Sequence, residues 1–237
     1  MTCDSEEARN PAIRVIRKKV ERSSWAALAE AIQGGDAHRV ISVGDEIPVT
    51  LKNGETVVAV AVHENPYWEN SMAFVIKDCL TDACQMNRSP KCGGGYAATD
   101  LRKHLIDDIV PILPDDMVSV IKPRTIVQKH NKRTAEFWIL GNDTELSVST
   151  DLIWIPSETE IVGSHESQND VDFEDVHFDF FSDEKSRIKL RGNEMWFWWL
   201  RSPGARGTLF FSNVNSHGYS NYYYETNLYG VAFGFLI

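Results

Sequence analysis

Trp198-Trp199-Leu200-Arg201-Ser202-Pro203-Gly204 closes a dense apolar and aromatic run that begins at Met195, just after Gly192. Rings packed this closely in sequence carry more apolar surface than a solvated loop holds in water. A Trp pair followed by Arg allows two readings, a ligand clamp or a core with one paired, buried Arg. The second is favoured, because an Arg that is buried at all is buried with a partner. Outward from this run, the chain ends on Gly230-Val231-Ala232-Phe233-Gly234-Phe235-Leu236-Ile237, which reads as a buried terminal strand.

Between these two apolar anchors the composition changes abruptly. Twelve of the eighteen residues from Ser212 to Tyr229 are Asn, Tyr or Ser, and five of the seven Tyr of the chain lie in its last 19 residues. Tyr supplies a large rigid face with few rotamers to freeze, and Ser, Asn and Gly supply adaptable hydrogen bonds. A low-complexity polar loop is the plain alternative. Anchoring at both ends favours a long surface stretch on a rigid base, where binding residues commonly sit.

The chain has 237 residues, 43% of them apolar and 24% charged. That suits one large domain, or a domain with a small extension, and excludes whole-chain disorder. The net charge of -10 is concentrated after residue 150, where thirteen acidic side chains face six basic ones. Such a surface repels phosphate backbones, so nucleic acid is not an expected partner, and the basic run Arg14–Arg22 reads as a solvated face. Cys3, Cys79, Cys84 and Cys92 lack zinc-knuckle spacing and read as reduced thiols. The polar, acidic N-terminus shows no signal peptide, and no apolar run reaches membrane-spanning length. Membrane insertion is therefore not expected. A cytoplasmic protein, or one carried in a virion such as a phage tail, is.

Local patterns give a mixture of strands and helices without regular alternation, an α+β class. Residues 1–39 read as an extension, with Ser24 capping a short helix through Ile32 that ends at Gly34-Gly35. Val40–Val49 and Val57–Val62 read as strands joined by an Asn53-Gly54 turn, with a third strand at Phe74–Ile76. Residues 78–96 read as a loop. Thr99 caps a helix whose face is Leu101, Leu105, Ile106 and Ile109, stopped by Pro111. A second helical stretch is expected near Pro114. Thr125–Val127 and Glu136–Leu140 are expected to pair, Ser157 and Glu160 to form a capping box, and residues 163–187 to be an acidic loop.

The heptapeptide at 198–204 resembles the WWLRSPG motif of a C-type-lectin-like domain family of bacteria and phages. Gly44-Asp45, Leu101–Leu105, Asp151–Ser157, Val214–Gly218 and the terminal Gly230–Phe235 extend the resemblance over about residues 40–237. One group in that family comprises the variable proteins of diversity-generating retroelements, which rewrite Asn codons by errors at adenines. The resemblance implies a C-type-lectin-like fold, a diversified ligand-binding face at 205–229 and a host-receptor or cell-surface ligand. The binding role falls on Asn213, Ser216, His217, Tyr219, Ser220, Asn221, Tyr222, Tyr223, Tyr224, Asn227 and Tyr229, with Arg206 and Thr208 in second place. Trp198, Trp199, Leu200, Arg201, Ser202, Pro203 and Gly204 become scaffold, together with Val214, Gly218, Gly230, Val231 and Phe233. It leaves open a homo-oligomer, or docking to a virion through the N-terminal region.

Two other classes compete. Asp170, Asp172, Glu174, Asp175 and Asp179 offer hard oxygen ligands for calcium-dependent sugar binding, although the usual Glu-Pro-Asn type of triplet is absent. Enzymes of the formylglycine-generating kind share the lectin-like architecture but use paired Cys near the C-terminus, and this chain has no Cys after Cys92. The seven His show no metal spacing, and no phosphate loop or nucleophile elbow is present. Neither a catalytic centre nor a cofactor is expected, calcium being the one ion considered.

Overall fold

Residues 24–90, 93–131, 144–163, 175–204 and 209–237 are described by a computed structural model. In chain order the elements are α1 (Trp25–Gln33), α2 (Ala37–Val40), β1 (Glu46–Thr50), β2 (Thr56–Glu64), β3 (Met72–Ile76), α3 (Asp100–His104), α4 (Asp115–Val118), β4 (Arg124–Asn131), β5 (Thr144–Asp151), β6 (Ile153–Trp154), α5 (Glu158–Val162), α6 (Glu184–Arg187), β7 (Lys189–Arg191), β8 (Glu194–Trp196), β9 (Trp198–Pro203), β10 (Phe210–Val214), β11 (Ser220–Tyr224) and β12 (Gly234–Leu236). The class is mixed α and β, with short helices and small antiparallel sheets.

The largest sheet has the order β1-β2-β3-β12-β6 and is antiparallel throughout. The Asn53-Gly54 turn closes its first hairpin, with Gly54 at φ +90° in the left-handed region that costs glycine little. β3 and β12 lie at the centre, and every residue of both is buried, which explains their unbroken apolar runs. Val231–Ile237 is buried along its whole length, as its composition predicts, but only Gly234–Leu236 is strand.

The helix expected in the extension packs into this same core. Trp25 meets Phe74 and Phe235 edge-on at 6.0 and 5.8 Å, those two rings stack at 5.0 Å, and Leu28, Ala29 and Ile32 are buried beside them. Ser24 stands at the N-cap with extended backbone, but its hydroxyl makes no capping bond.

Several local expectations need correction. Thr99 Oγ1 does accept the Arg102 amide at 3.1 Å, and Leu101, Leu105 and Ile109 are buried; Ile106, however, is exposed. The backbone widens into a π-turn over Leu105–Ile109, which sets those three residues in line and leaves Ile106 beside them. A 3-10 turn then carries the chain past Pro111 to Ile112. β4 pairs with β5, Val127 opposite Val148; Glu136–Leu140, the partner expected from the sequence, lies outside the described residues. The stretch expected to be an acidic loop buries Phe178 and Phe181 and includes α6, capped by Asp183 and Ser186. The apolar run Met195–Leu200 is divided between β8 and β9, and its first residue, Met195, is exposed.

Candidate functional site

β9, β10 and β11 form a three-stranded antiparallel sheet with β11 at its edge. Its base is the Trp-Trp-Leu-Arg-Ser run. Trp198, Trp199, Leu200, Arg201 and Ser202 are all fully buried, each with a distinct role. Trp198 Nε1 donates to the Arg187 carbonyl at 3.0 Å, and its ring lies 4.8 Å from Lys189 Nζ. Trp199 Nε1 donates to the Cys84 carbonyl at 2.8 Å. Ser202 Oγ accepts the Glu158 amide at 2.8 Å. Pro203 is half-buried, and Gly204 is buried where a Cβ would press on Phe210.

Arg201 is buried with partners, as anticipated, but it is not the one buried Arg. Arg124 shares its acids: Arg124 donates to Glu160 and Asp175, and Arg201 Nη2 reaches Asp175 Oδ2 at 2.5 Å and Glu160 Oε2 at 3.6 Å. Tyr67 donates its hydroxyl to Glu160 and lies under the Arg124 guanidinium at 3.8 Å. Glu160 also closes the expected capping box, accepting the Ser157 amide at 2.7 Å. Burial opposes ionisation of Glu160, yet Arg124, Arg201, the Tyr67 hydroxyl and the Ser157 amide together hold its pKa below the usual carboxylate range. This network joins β4, α5, β9 and the Asp175 segment. Arg124 and Tyr67 carry no signal in the sequence, because their partners are remote along the chain.

The Asn/Tyr/Ser stretch is a β-hairpin and its exit, rather than one long loop. Asn215 builds the turn: its Oδ1 accepts the His217 and Tyr219 amides at 2.8 and 3.1 Å, and its own amide donates to the Tyr219 carbonyl at 2.9 Å. Gly218 at φ +84° completes it, and a Cβ there would overlap the Glu184 carbonyl. His217 and Tyr219 are exposed at the tip, and Ser216 is half-buried.

The register sorts the tyrosines. Phe210 lies opposite Tyr224, Ser212 opposite Tyr222 and Val214 opposite Ser220, so these six share one face. Phe211, Asn213, Asn221 and Tyr223 belong to the other. Tyr222 and Tyr224 are therefore parted from Tyr223 by the pleat. Beneath the first face lies the buried Glu158 carboxylate, which accepts hydrogen bonds from Ser212 Oγ at 3.1 Å, from the Tyr222 hydroxyl at 2.8 Å and from Ser220 Oγ. Tyr224 packs on Phe210 at 4.3 Å. On the second face Tyr229 stacks on Phe197 at 5.3 Å and meets Trp199 at 4.7 Å and Tyr223 at 5.7 Å.

Of the residues expected to bind, Tyr219, Tyr223, Tyr224, Asn221 and His217 are exposed; Ser216, Ser220, Tyr222, Asn227 and Tyr229 are half-buried. Asn213 is buried, with Nδ2 donating to the Asn221 carbonyl at 3.2 Å, so it belongs to the scaffold. Arg206 and Thr208 lie outside the described residues. Leu228, 57% exposed beside Tyr229, was not anticipated, because a single Leu in a polar stretch carries no periodic signal.

Among the described residues, no three His, Cys, Asp or Glu side chains converge as metal ligands would. Asp175 is taken up by Arg124 and Arg201, and Asp179 bonds to His63 at 3.0 Å; Asp170, Asp172 and Glu174 lie outside the described residues. Cys79 and Cys84 are unbridged, and burial pushes the Cys79 thiol up to about 12. Cys3 and Cys92 lie outside the described residues. No described helix is long and apolar enough to cross a membrane.

Fold and site together define a mixed α/β domain that presents an aromatic hairpin on a buried Trp-rich base. The chain belongs to the family described as a domain of unknown function, DUF6273, which it matches over residues 70–234. No curated protein and no solved structure matches it.

Proposed function

We propose that this chain is a non-enzymatic ligand-binding protein with a C-type-lectin-like fold. In this reading its C-terminal Asn/Tyr/Ser face is a variable region of a diversity-generating retroelement, directed at a protein or cell-surface ligand. One observation carries the reading: Tyr219, Tyr223, Tyr224 and Leu228 stand 56%, 37%, 46% and 57% exposed around a hairpin whose base is fully buried. A surface protein without a partner has little reason to hold such side chains in water. Large amphipathic rings on a rigid support are the chemistry of paratopes. The WWLRSPG resemblance supports the same assignment, since the motif's side chains all serve the base.

The test is genetic. A near-copy of the 3′ end of this gene, differing mainly at adenines and lying beside a reverse transcriptase gene, is the expected finding. Sibling genes should then differ at Tyr219, Asn221, Tyr223 and Tyr224 while keeping Trp198, Trp199 and Gly218. Substitutions spread evenly over both sets would overturn the reading.

A further inference from the structure

Glu158 reaches all three strands of the aromatic sheet. Its amide donates to Ser202 Oγ on β9 at 2.8 Å. One carboxylate oxygen accepts Ser212 Oγ on β10 at 3.1 Å and the Tyr222 hydroxyl on β11 at 2.8 Å, and the other accepts Ser220 Oγ on β11. Ser212 lies directly opposite Tyr222, and Ser220 follows two residues away on the same face. The pleat thus gathers three hydroxyls over one carboxylate.

This arrangement sets a condition on the sequence. Glu158 is buried, so a donor withdrawn from its carboxylate is not replaced by bulk water, and the desolvation cost remains. Ser220 and Tyr222 are half-buried, yet each hydroxyl answers to that buried acid. The residues that alternate with them are placed differently. Asn221 is on the opposite face of the sheet, and Tyr219 is held at the turn by its main chain, which exchanges hydrogen bonds with Asn215.

We infer that Glu158 is the positioning residue of the Tyr-rich face. It requires a hydrogen-bond donor at positions 212, 220 and 222, and so divides a stretch of uniform composition into two sets. Ser212, Ser220 and Tyr222 set the hairpin on its base; Tyr219, Asn221, Tyr223 and Tyr224 discriminate ligands. The assignment of the second set rests on the binding-face reading, whereas the donor requirement does not.

The test needs no ligand. The full chain, displayed on a cell surface with positions 219 to 222 randomised, is challenged with protease. Survivors should carry Ser over Ala at 220 and Tyr over Phe at 222 by about tenfold, the effect of one donor withdrawn from a buried carboxylate. Positions 219 and 221 should stay within about threefold across polar side chains. Repeated on Glu158→Gln, whose amide supplies a donor of its own, both preferences should fall to about threefold or less. A hairpin in which these hydroxyls serve only their own strand keeps its preferences whatever stands at 158. Ala and Phe recovered as often as Ser and Tyr overturn the inference, and so does a preference that Glu158→Gln leaves unchanged. If Glu158→Gln fails to fold, the two isosteric comparisons in the natural chain decide alone. The binding-face reading is tested separately by the sibling genes. Siblings that keep donors at 220 and 222 while 219 and 221 change support both. Substitutions spread evenly over the siblings overturn that reading and the assignment of the second set, while the donor requirement stands or falls with the library.

Discussion

Glu158 Oε2 accepts the Tyr222 hydroxyl at 2.8 Å, so the buried first turn of α5 and the middle of the edge strand are joined through one phenol. Tyr222 is thus the member of the triplet that serves both base and face. Tyr222→Phe should cost about 1–2 kcal/mol, the price of a donor withdrawn from a buried carboxylate. Urea titration checks this, and a change within about 0.3 kcal/mol would show that the phenol is not part of the scaffold.

Asn213 and Tyr219 are nearly interchangeable as sequence candidates, yet the structure separates them. Asn213→Ala should destabilise by about 1–3 kcal/mol, since its buried Nδ2 satisfies the Asn221 carbonyl. Tyr219→Ala, at an exposed turn, should stay within about 0.5 kcal/mol. Equal effects in thermal melts would contradict the division into base and face.

The Glu160 network should set the acid limit of the fold. Its folded pKa lies below the unfolded one, so its contribution is complete above the unfolded value of about 4.3 and is lost as pH falls toward the folded value. Glu160→Gln leaves Arg124 and Arg201 short of an acid and should cost about 3–5 kcal/mol at neutral pH. The variant should also lose part of the acid dependence. Denaturation midpoints compared at neutral and mildly acidic pH measure both effects.

Lys189 predicts a slope of the same sign at alkaline pH. Its ammonium is buried, donates to the Ile76 and Lys77 carbonyls at 2.6 and 2.9 Å, and has its pKa lowered by burial to about 8, with Cys79 and Asp78 acting against that. The unfolded chain holds this proton to a higher pH, about 10.4. Between the two values the unfolded state binds more protons, so stability from this group rises with pH. Relative to Lys189→Met, the natural chain should gain up to about 2–3 kcal/mol between about pH 7 and pH 10. A difference that stays flat across that range would mean the ammonium is not penalised by its site.

Gly218 should be irreplaceable. Gly218→Ala adds a Cβ at φ +84° against the Glu184 carbonyl and should cost about 2–4 kcal/mol, read as a lowered Tm.

Local signals carried much of the fold. The Asn53-Gly54 turn, the Ser157/Glu160 capping box and the buried terminal segment were legible because each depends on neighbours in sequence. β5 was not legible. Its inward residues Ser149 and Asp151 are polar, matched to remote groups such as Arg102, while Leu146 and Val148 point outward. Alternation there runs opposite to the usual rule, and only the partners explain it. The run from Met195 to Leu200 was legible as apolar but not as two strands, because composition does not say where a chain turns.

Composition along the chain already separates the segments that gain from burial, the Trp-Trp-Leu-Arg-Ser base and the terminal strand, from the polar, Tyr-rich span between them that does not. Ring area and turn chemistry are local properties, so they are written residue by residue. Only the assembled fold places Asn213 inside, gives Arg201 and Arg124 the same acids, and turns consecutive tyrosines to opposite faces of one sheet. Those outcomes depend on strand register and on partners distant in the chain, which take their positions only when the sheet assembles.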